Sequence, residues 1–250
     1  MKKNWILILT GLLFNLNLLG QNPDLDYQKY IFDSLAVIND KDGYTNVREN
    51  PDLSSKIIFQ IKTNFIFKIT ANSKSSWKEI EQFGLKNRTG FIHESRIKNL
   101  GSLSNNEMRE LSKLILDSTI ILMNDLHSLN QEGMYDTTKH RDLHKEFSVY
   151  YHFQMYPALK LVSKYYCNTQ DRKFLNYYLD FLVETKGTAW EATSFAIGEI
   201  FGCDSENVIK EIYKRSNFEK EILKNDLEWG IQGEPNENEL KLKIEFIEIE

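Results

Sequence analysis

Short runs in which apolar and polar residues alternate fill the chain between residues 36 and 98. Such alternation is typical of strands with one buried face. Turn signals separate the runs: the sequence Asp40-Lys41-Asp42-Gly43 precedes one of them, and Pro51, which cannot donate to a sheet ladder, follows it. The pattern predicts a small β-barrel with strands at 44–48, 56–61, 65–69, 77–80, 90–93 and 95–97.

After a polar segment at 99–106, predicted to be a linker, the period changes to three or four residues. Apolar positions from Leu111 to Leu129 indicate one long amphipathic helix. The next helical stretch contains Pro157, so it either kinks or restarts there. Short connections predict an antiparallel bundle or an α-α solenoid of HEAT-like pairs over 107–233. The remaining predicted helices are 171–184, 188–201, 205–215 (capped by Asp204 or Ser205) and 218–229.

The first twenty residues have the pattern of a secretory signal peptide. Lys2 and Lys3 precede an apolar run at 5–14, and Gly20 offers a small residue for cleavage. The run is shorter than the ~20 residues that span a bilayer. We therefore expect a signal peptide at 1–20, an N-terminal segment at 21–35, and no membrane span after cleavage. The alternative is an uncleaved anchor. The expected location is periplasmic or secreted.

Charge is concentrated at the C-terminal end. Without Lys2 and Lys3, the 31 basic residues become 29 against 36 acidic ones, a net charge of −7. Residues 219–250 hold ten acids and four Lys, which accounts for −6 of it. No basic face of the kind that binds nucleic acid is indicated. The acidic tail at 234–250 alternates charged and apolar residues through Phe246, which fits an edge strand or a frayed, solvated end.

The order of residues in the strand region resembles the bacterial SH3-like (SH3b) domain. Its pattern is matched by Gly43, then Asn46-Val47-Arg48, Pro51, Ile57-Ile58, Trp77 and Gly90-Phe91-Ile92. The resemblance covers about a quarter of the chain. It departs from the family at Glu49-Asn50-Pro51, where Ser-Gly-Pro is usual, and at Phe91, where Trp is usual.

A binding site is one of two interpretations of the motif. In the structural one, Gly43 permits a turn, Val47 points into the barrel, and Asn46 and Arg48 bond the backbone of loops. In the functional one, the side chains of Tyr44, Arg48, Trp77 and Arg96 line a groove between loops, although Trp77 also fits the core. Because SH3b domains of exported bacterial proteins commonly bind cell-wall peptide or other envelope ligands, the resemblance implies such a partner here.

Catalytic chemistry has little support. His140 and His144 are four residues apart, a spacing that can hold a metal with Asp136, but Arg141 stands where the hydrolase motif needs Glu. Every His precedes Cys167, which is the wrong order for a wall peptidase with a Cys nucleophile and a later His. We expect no cofactor and no enzyme. Cys167 and Cys203 either form a staple between helices or are two buried thiols.

The sequence thus predicts a multidomain β + α protein: an SH3-like β-barrel at 36–98 followed by an all-α helical domain. The expected function is non-enzymatic binding in the cell envelope, with the helical domain as a second protein-interaction surface. One alternative is a periplasmic immunity or inhibitor protein that uses its acidic helical domain to meet a basic partner. Another is a metal-dependent enzyme at His140 and His144.

Overall fold

The computed structural model describes residues 32–70, 75–131, 137–186 and 191–249, without the side chains of residues 191 and 192. The predicted signal peptide and residues 21–31 of the N-terminal segment lie outside these ranges. Within them the chain is a mixed β + α protein, with strands before residue 100 and helices after it. In the same part of the chain, none of the helices combines the length and the apolar character needed to cross a membrane.

Seven strands of the described residues form one antiparallel sheet that curls into a half-barrel. Their order in the sheet is β3-β2-β6-β5-β4-β1-β7, so β3 and β7 are the edges. The strands are β1 (Leu35–Ile38), β2 (Tyr44–Arg48), β3 (Ile57–Lys62), β4 (Phe67–Ile69), β5 (Trp77–Gln82), β6 (Arg88–His93) and β7 (Ile97–Asn99).

The predicted strands are confirmed within one or two residues at most ends, with two differences. β1 was not predicted as a strand, because its four residues Leu35–Ile38 are all buried and show no alternation. The closing strand predicted at 95–97 is wrong for its first two residues. Glu94–Arg96 is a 3₁₀ turn, capped where the Ser95 N–H donates to His93 Nδ1, and β7 begins only at Ile97.

One side of the sheet has its own apolar core. Val47 is fully buried there, as the structural interpretation of the motif predicts. A Cβ on Gly90 would lie 2.6 Å from Val47 Cγ1 and 2.8 Å from the Arg48 carbonyl oxygen. β2 and β6 can therefore approach only because residue 90 has no side chain. The core consists of Ala36, Ile38, Val47, Ile61, Phe67, Ile80 and Ile92.

The α-helices of the described residues come next in the chain. They are α1 (Asn105–Gln131), α2 (Thr138–Tyr150), α3 (Tyr156–Thr169), α4 (Arg172–Glu184), α5 (Glu191–Tyr213), α6 (Asn217–Gly230) and α7 (Glu237–Glu245). α5 contains Asp204 in a non-helical conformation (φ −155°, ψ 60°), so it is two helices across a kink, as predicted for this stretch. Asp204 is the cap: its Oδ1 accepts from the Asn207 N–H at 3.3 Å.

The proline in the second helical stretch coincides with a change of helix type. Residues Tyr151–Met155 form a π-helix between α2 and α3, and Pro157 lies in the first turn of α3. Pro157 has no N–H to donate to the carbonyl four residues earlier. The Tyr156 N–H instead donates to the carbonyl of Tyr151, five residues back, which widens the turn.

The prediction of an edge strand or frayed end for the C-terminal tail is wrong. Residues 237–245 are the helix α7, and Leu240, Ile244 and Ile247 are buried in the main core. These three residues are spaced by four and three, so they lie on one face of the helix and its continuation. Exposed Leu242 and Phe246 lie on the other side.

The sheet and the helices share a second, larger apolar core. Leu35, Ile66 and Phe83 of the strand region belong to the same buried cluster as the helical residues. The segment predicted as a linker holds the end of β7, a 3₁₀ turn at Leu100–Ser102 and the start of α1, and Leu100 is fully buried.

Gln154 and Phe153, both in the π-helix, join the helices to the sheet. The Ile66 N–H donates to Gln154 Oε1 and Gln154 Nε2 donates to the Ile66 carbonyl, both at 2.8 Å and both buried. Phe153 stacks on Phe83 with ring centroids 3.8 Å apart. One turn of π-helix thus supplies both a polar and an aromatic contact to the strand region.

Cys167 and Cys203 form a disulfide that joins α3 to α5. Of the two interpretations, a bond between helices is therefore confirmed and two separate thiols are wrong. Both residues are exposed, so reductants in solution can reach the bond.

α5 also crosses α6 at a contact between two glycines. A Cβ on Gly198 would lie 1.9 Å from the Gly230 carbonyl oxygen, and one on Gly230 would lie 2.0 Å from that of Ser194.

Gly198→Ala is expected to lower the free energy of unfolding by about 3 kcal/mol or more, because the new methyl group meets rigid backbone rather than a movable side chain. Gly202→Ala on the same helix is the matched control: its Cβ would have only Glu234 Oε2 nearby, at 3.7 Å. That change is expected to be neutral or to stabilise by less than about 1 kcal/mol. Urea denaturation of both variants measures this, and equal losses would contradict the close contact.

Reduction of the disulfide is expected to lower the free energy of unfolding by about 4 kcal/mol, since the bond closes a loop of 36 residues in the unfolded chain. The measurement is urea denaturation with and without dithiothreitol. Cys167→Ser/Cys203→Ser serves as the control, because its stability should not respond to the reductant. A wild-type protein equally stable in both conditions would contradict the bond's role.

Candidate binding site at one end of the sheet

The four residues predicted to form a groove lie around one cavity of about 200 Å³. Tyr44 and Arg48 come from the two ends of β2, Trp77 from the start of β5, and Arg96 from the 3₁₀ turn before β7. The structure therefore brings together residues that are up to 52 positions apart in the sequence. The same cavity is also lined by Asp40, Asp42, Leu53 and His93.

The turn before β2 sets the position of Tyr44. Asp40 starts it by accepting the Asp42 N–H at Oδ1 (3.2 Å) and the Gly43 N–H at its carbonyl (3.3 Å). Gly43 has φ +80°, which only glycine adopts without strain. The Gly43 carbonyl accepts the Thr63 N–H from the end of β3. Tyr44 consequently begins β2 at the rim, with 44% of its surface exposed.

Arg48 holds the loop between β2 and β3. Its Nη1 donates to the Ser55 carbonyl at 2.6 Å, so the prediction that Arg48 bonds a loop backbone is confirmed. Asn46 behaves differently: its Oδ1 accepts from the Gln60 side chain on β3, not from a loop backbone. Within the loop, hydrogen bonds from Ser54 lower the pKa of the Asp52 carboxyl. Arg48 also lines the cavity.

Arg96 closes the opposite side of the cavity through an ion pair. Its Nη1 lies 2.7 Å from Asp40 Oδ2. The Asp40 side chain is only 7% exposed, whereas that of Arg96 is 51% exposed. The buried carboxylate therefore depends on a guanidinium that remains half open to solvent.

Trp77 and His93 form the aromatic wall. They are directly opposite each other in the β5–β6 ladder, and their rings meet edge to face with centroids 5.5 Å apart. Trp77 is half-buried and is not part of the core beneath the sheet. His93 is held by Ser95, whose Oγ lies 2.8 Å from Nδ1. His93 was not predicted as a site residue, because no motif marks it. Its place beside Trp77 follows only from the pairing of β5 with β6.

The cavity balances charge and offers aromatic surface. Two carboxylates, Asp40 and Asp42, and two guanidiniums, Arg48 and Arg96, give a formal charge of zero. Tyr44, Trp77 and His93 supply flat surfaces. This combination can hold a small dipolar group, such as a short peptide segment, by ion pairing at both ends and ring contacts between. Its volume is below the ~300–1,000 Å³ of drug-sized sites, so it would take one or two residues of a chain.

Two of the three residues considered for a metal site are described. His140 and His144 lie on α2 with ring centroids 6.3 Å apart, and Asp136 lies outside the described residues. No group of three or more His, Cys, Asp or Glu side chains in the described ranges is arranged to hold a metal ion.

A larger cleft of about 630 Å³ lies beside the disulfide. In it Lys160 Nζ donates to Glu199 Oε1 at 2.6 Å, and Ser163 Oγ donates to the other oxygen of the same carboxylate. The Lys160 side chain is 8% exposed. These groups satisfy one another, which gives the network a structural role between α3 and α5.

Comparison with known proteins found neither a protein-family model nor a curated protein that matches this chain.

Arg96→Gln is expected to lower the free energy of unfolding by about 1–2 kcal/mol, because it leaves the buried Asp40 carboxylate without its ion-pair partner. In an Asp40→Asn background the same change should cost less than about 0.5 kcal/mol, since no buried charge remains. A double-mutant cycle by urea denaturation measures the coupling. Equal costs in both backgrounds would mean that the pair does not stabilise the site.

Proposed function

We propose that this protein is an exported, non-enzymatic binding protein of the cell envelope, whose sheet is an SH3-like domain. The proposal is that the cavity of Tyr44, Arg48, Trp77 and Arg96 engages cell-wall peptide or an envelope protein. The helices, which we interpret as HEAT-like pairs, would supply a second protein-interaction surface. The main support is that four residues chosen from the sequence line one cavity of the sheet.

The chemistry of the cavity favours a peptide over an apolar ligand. Arg48 and Arg96 can bind a carboxylate or peptide carbonyls, and Asp42 can bind an ammonium group. Each arginine is already fixed by one protein contact, to Ser55 or to Asp40. A fixed guanidinium loses little freedom when a ligand arrives, so its remaining N–H groups can contribute fully to affinity.

Export is supported by two independent features. The first is the pattern of residues 1–20, which resembles a signal peptide. The second is the exposed disulfide between Cys167 and Cys203, since such bonds persist in oxidising compartments and are rare in reducing ones.

The test is co-sedimentation of the mature chain, residues 21–250, with purified peptidoglycan sacculi. Trp77→Ala and Tyr44→Ala are each expected to weaken binding about tenfold, the effect of removing ~1.4 kcal/mol of aromatic contact. Tyr44 is the cleaner probe because its side chain is exposed. Arg48 is less suitable, because its removal also frees the β2–β3 loop.

Ile121→Ala is the matched control, since Ile121 is 62% exposed on α1, away from the cavity. It should bind sacculi as wild type does. Unchanged binding by folded Tyr44→Ala and Trp77→Ala would reject the cavity as the ligand site. No sedimentation of the wild type would reject wall peptide as the ligand and leave a protein partner to be sought.

A second candidate, an inhibitor or immunity protein, is favoured by the surface of α6 and α7. Trp229 (56% exposed) and Phe246 (74% exposed) are large apolar side chains in a region rich in acids. Exposed aromatic residues among charges are common at protein interfaces. However, Glu237 and Glu239 pair with Lys241 and Lys243, which reduces the field available to a basic partner.

One further variant distinguishes the two candidate functions. Changing Glu221, Glu228, Glu245 and Glu248 to Gln removes acids for which the structure records no ion pair among the described residues. Wall binding should not change. A basic partner recruited by α6 and α7 should lose affinity, mainly through a slower association rate at low salt.

A further inference from the structure

A cavity of about 410 Å³ lies where the β5–β6 turn faces α2 and the π-helix. It is distinct from the site of Tyr44 and Trp77 and shares no lining residue with it. Its walls are mainly apolar: Phe65, Phe83, Val149 and Tyr150, with Leu85 at the opening. Junctions between structural layers are where ligand cavities most often occur, and this volume is within their usual range.

The π-helix contributes Gln154 to the lining of the cavity. It places Gln154 against Ile66 and, on the neighbouring position, Phe153 against Phe83. Tyr150, at the end of α2, turns its hydroxyl away to the Ile115 carbonyl at 3.1 Å, and burial raises its pKa to about 12. Tyr150 therefore offers the cavity its ring. Single turns of π-helix inside α-helices are frequent at functional sites, because they are costly to keep otherwise.

One buried polar side chain, that of Gln154, lies in the lining of the cavity. Gln154 is 3% exposed and lines the cavity, and one of its two amide N–H groups donates to the Ile66 carbonyl. Because the Ile66 backbone holds this amide in place, its NMR signal can report on a ligand inside the cavity.

The mouth of the cavity carries positive charge. Lys86 is exposed in the β5–β6 turn and makes no ion pair or hydrogen bond with the rest of the described chain. Arg88 is held in place by Gln82 Oε1 (2.7 Å) and by the ring of Phe59, which leaves other N–H groups of its guanidinium unused. Glu146 is the one acid that lines this cavity, so the formal charge is +1.

We propose that this cavity binds a monocarboxylate with an apolar body of about ten carbon atoms. The body packs between Phe65, Phe83 and Tyr150, and the carboxylate lies at the mouth beside Lys86 and Arg88. At about 30 Å³ for each water-sized group, 410 Å³ holds roughly a dozen non-hydrogen atoms. A carboxylate at the mouth stays hydrated. Burying it in the apolar interior would cost a large desolvation free energy.

The experiment is an NMR titration of the ¹⁵N-labelled protein with decanoate, 1-decanol and decyltrimethylammonium, each below its micelle concentration. The side-chain amide signal of Gln154 reports on the cavity directly. Decanoate is expected to shift it and to bind at least fivefold more tightly than 1-decanol, with decyltrimethylammonium weakest. An equal response to the cation and the anion would overturn the assignment of the mouth.

Three variants complete the test. Lys86→Gln should weaken decanoate binding three- to tenfold and leave 1-decanol unchanged, whereas Lys41→Gln, an exposed lysine of another turn, should change neither. Val149→Trp fills the cavity from the half-buried face of α2 and should abolish both titrations with the same far-UV spectrum as wild type. If decanoate still shifts the Gln154 amide in folded Val149→Trp, or if none of the three probes shifts it in the wild type, the proposal is wrong.

Discussion

The paired hydrogen bonds between the Gln154 amide and the Ile66 backbone connect the helices to the strand region. An amide side chain here takes the place of a strand partner: it accepts from one peptide N–H and donates to the carbonyl of the same residue. Both bonds are buried, so leaving one of these groups without a partner would lower the free energy of unfolding by about 1–3 kcal/mol. The bonds also fix the π-helix in register with the sheet, and the shared apolar core forms around them.

The two cavities differ because they arise at different levels of the fold. The one at Tyr44 and Trp77 belongs to the sheet alone, and its charged groups are set by turns and by the β5–β6 register. The one at Gln154 exists only where sheet and helices meet. Its lining is mainly apolar because it is a gap in the shared core, and its charge comes from residues at the rim. A polar cavity and a mainly apolar one thus lie in the same fold without sharing lining residues.

The sequence predicted the elements well where local pattern and final environment agree. β2 was placed correctly because a turn that needs Gly43 precedes an alternating run. The C-terminal tail was misread because its residues have two periods at once. Charged and apolar residues alternate, yet Leu240, Ile244 and Ile247 also match a helix, and burial against the core decides in favour of the helix.

The same limit applies to the sites. Tyr44, Arg48, Trp77 and Arg96 could be chosen from residue type and motif, but His93 could not, since its place opposite Trp77 depends on the pairing of two strands. The sequence gives one indication near the Gln154 cavity: Pro157 predicts an interrupted helix. It does not predict that a cavity lies beside the interruption.

The kink at Asp204 divides α5 into two halves that have different restraints. Just before it, α5 is tied to α3 through Cys203 and pressed against the backbone of α6 at Gly198, five residues apart. The first half of α5 is therefore held on two sides, by α3 and by α6. Beyond Asp204 neither restraint applies, and the helix continues toward Tyr213, whose hydroxyl donates to the Phe246 carbonyl. The two halves of α5 are thus fixed by different means: the first by a covalent bond and a backbone contact, and the second by the burial of Val208 and Ile212 and by hydrogen bonds of its side chains.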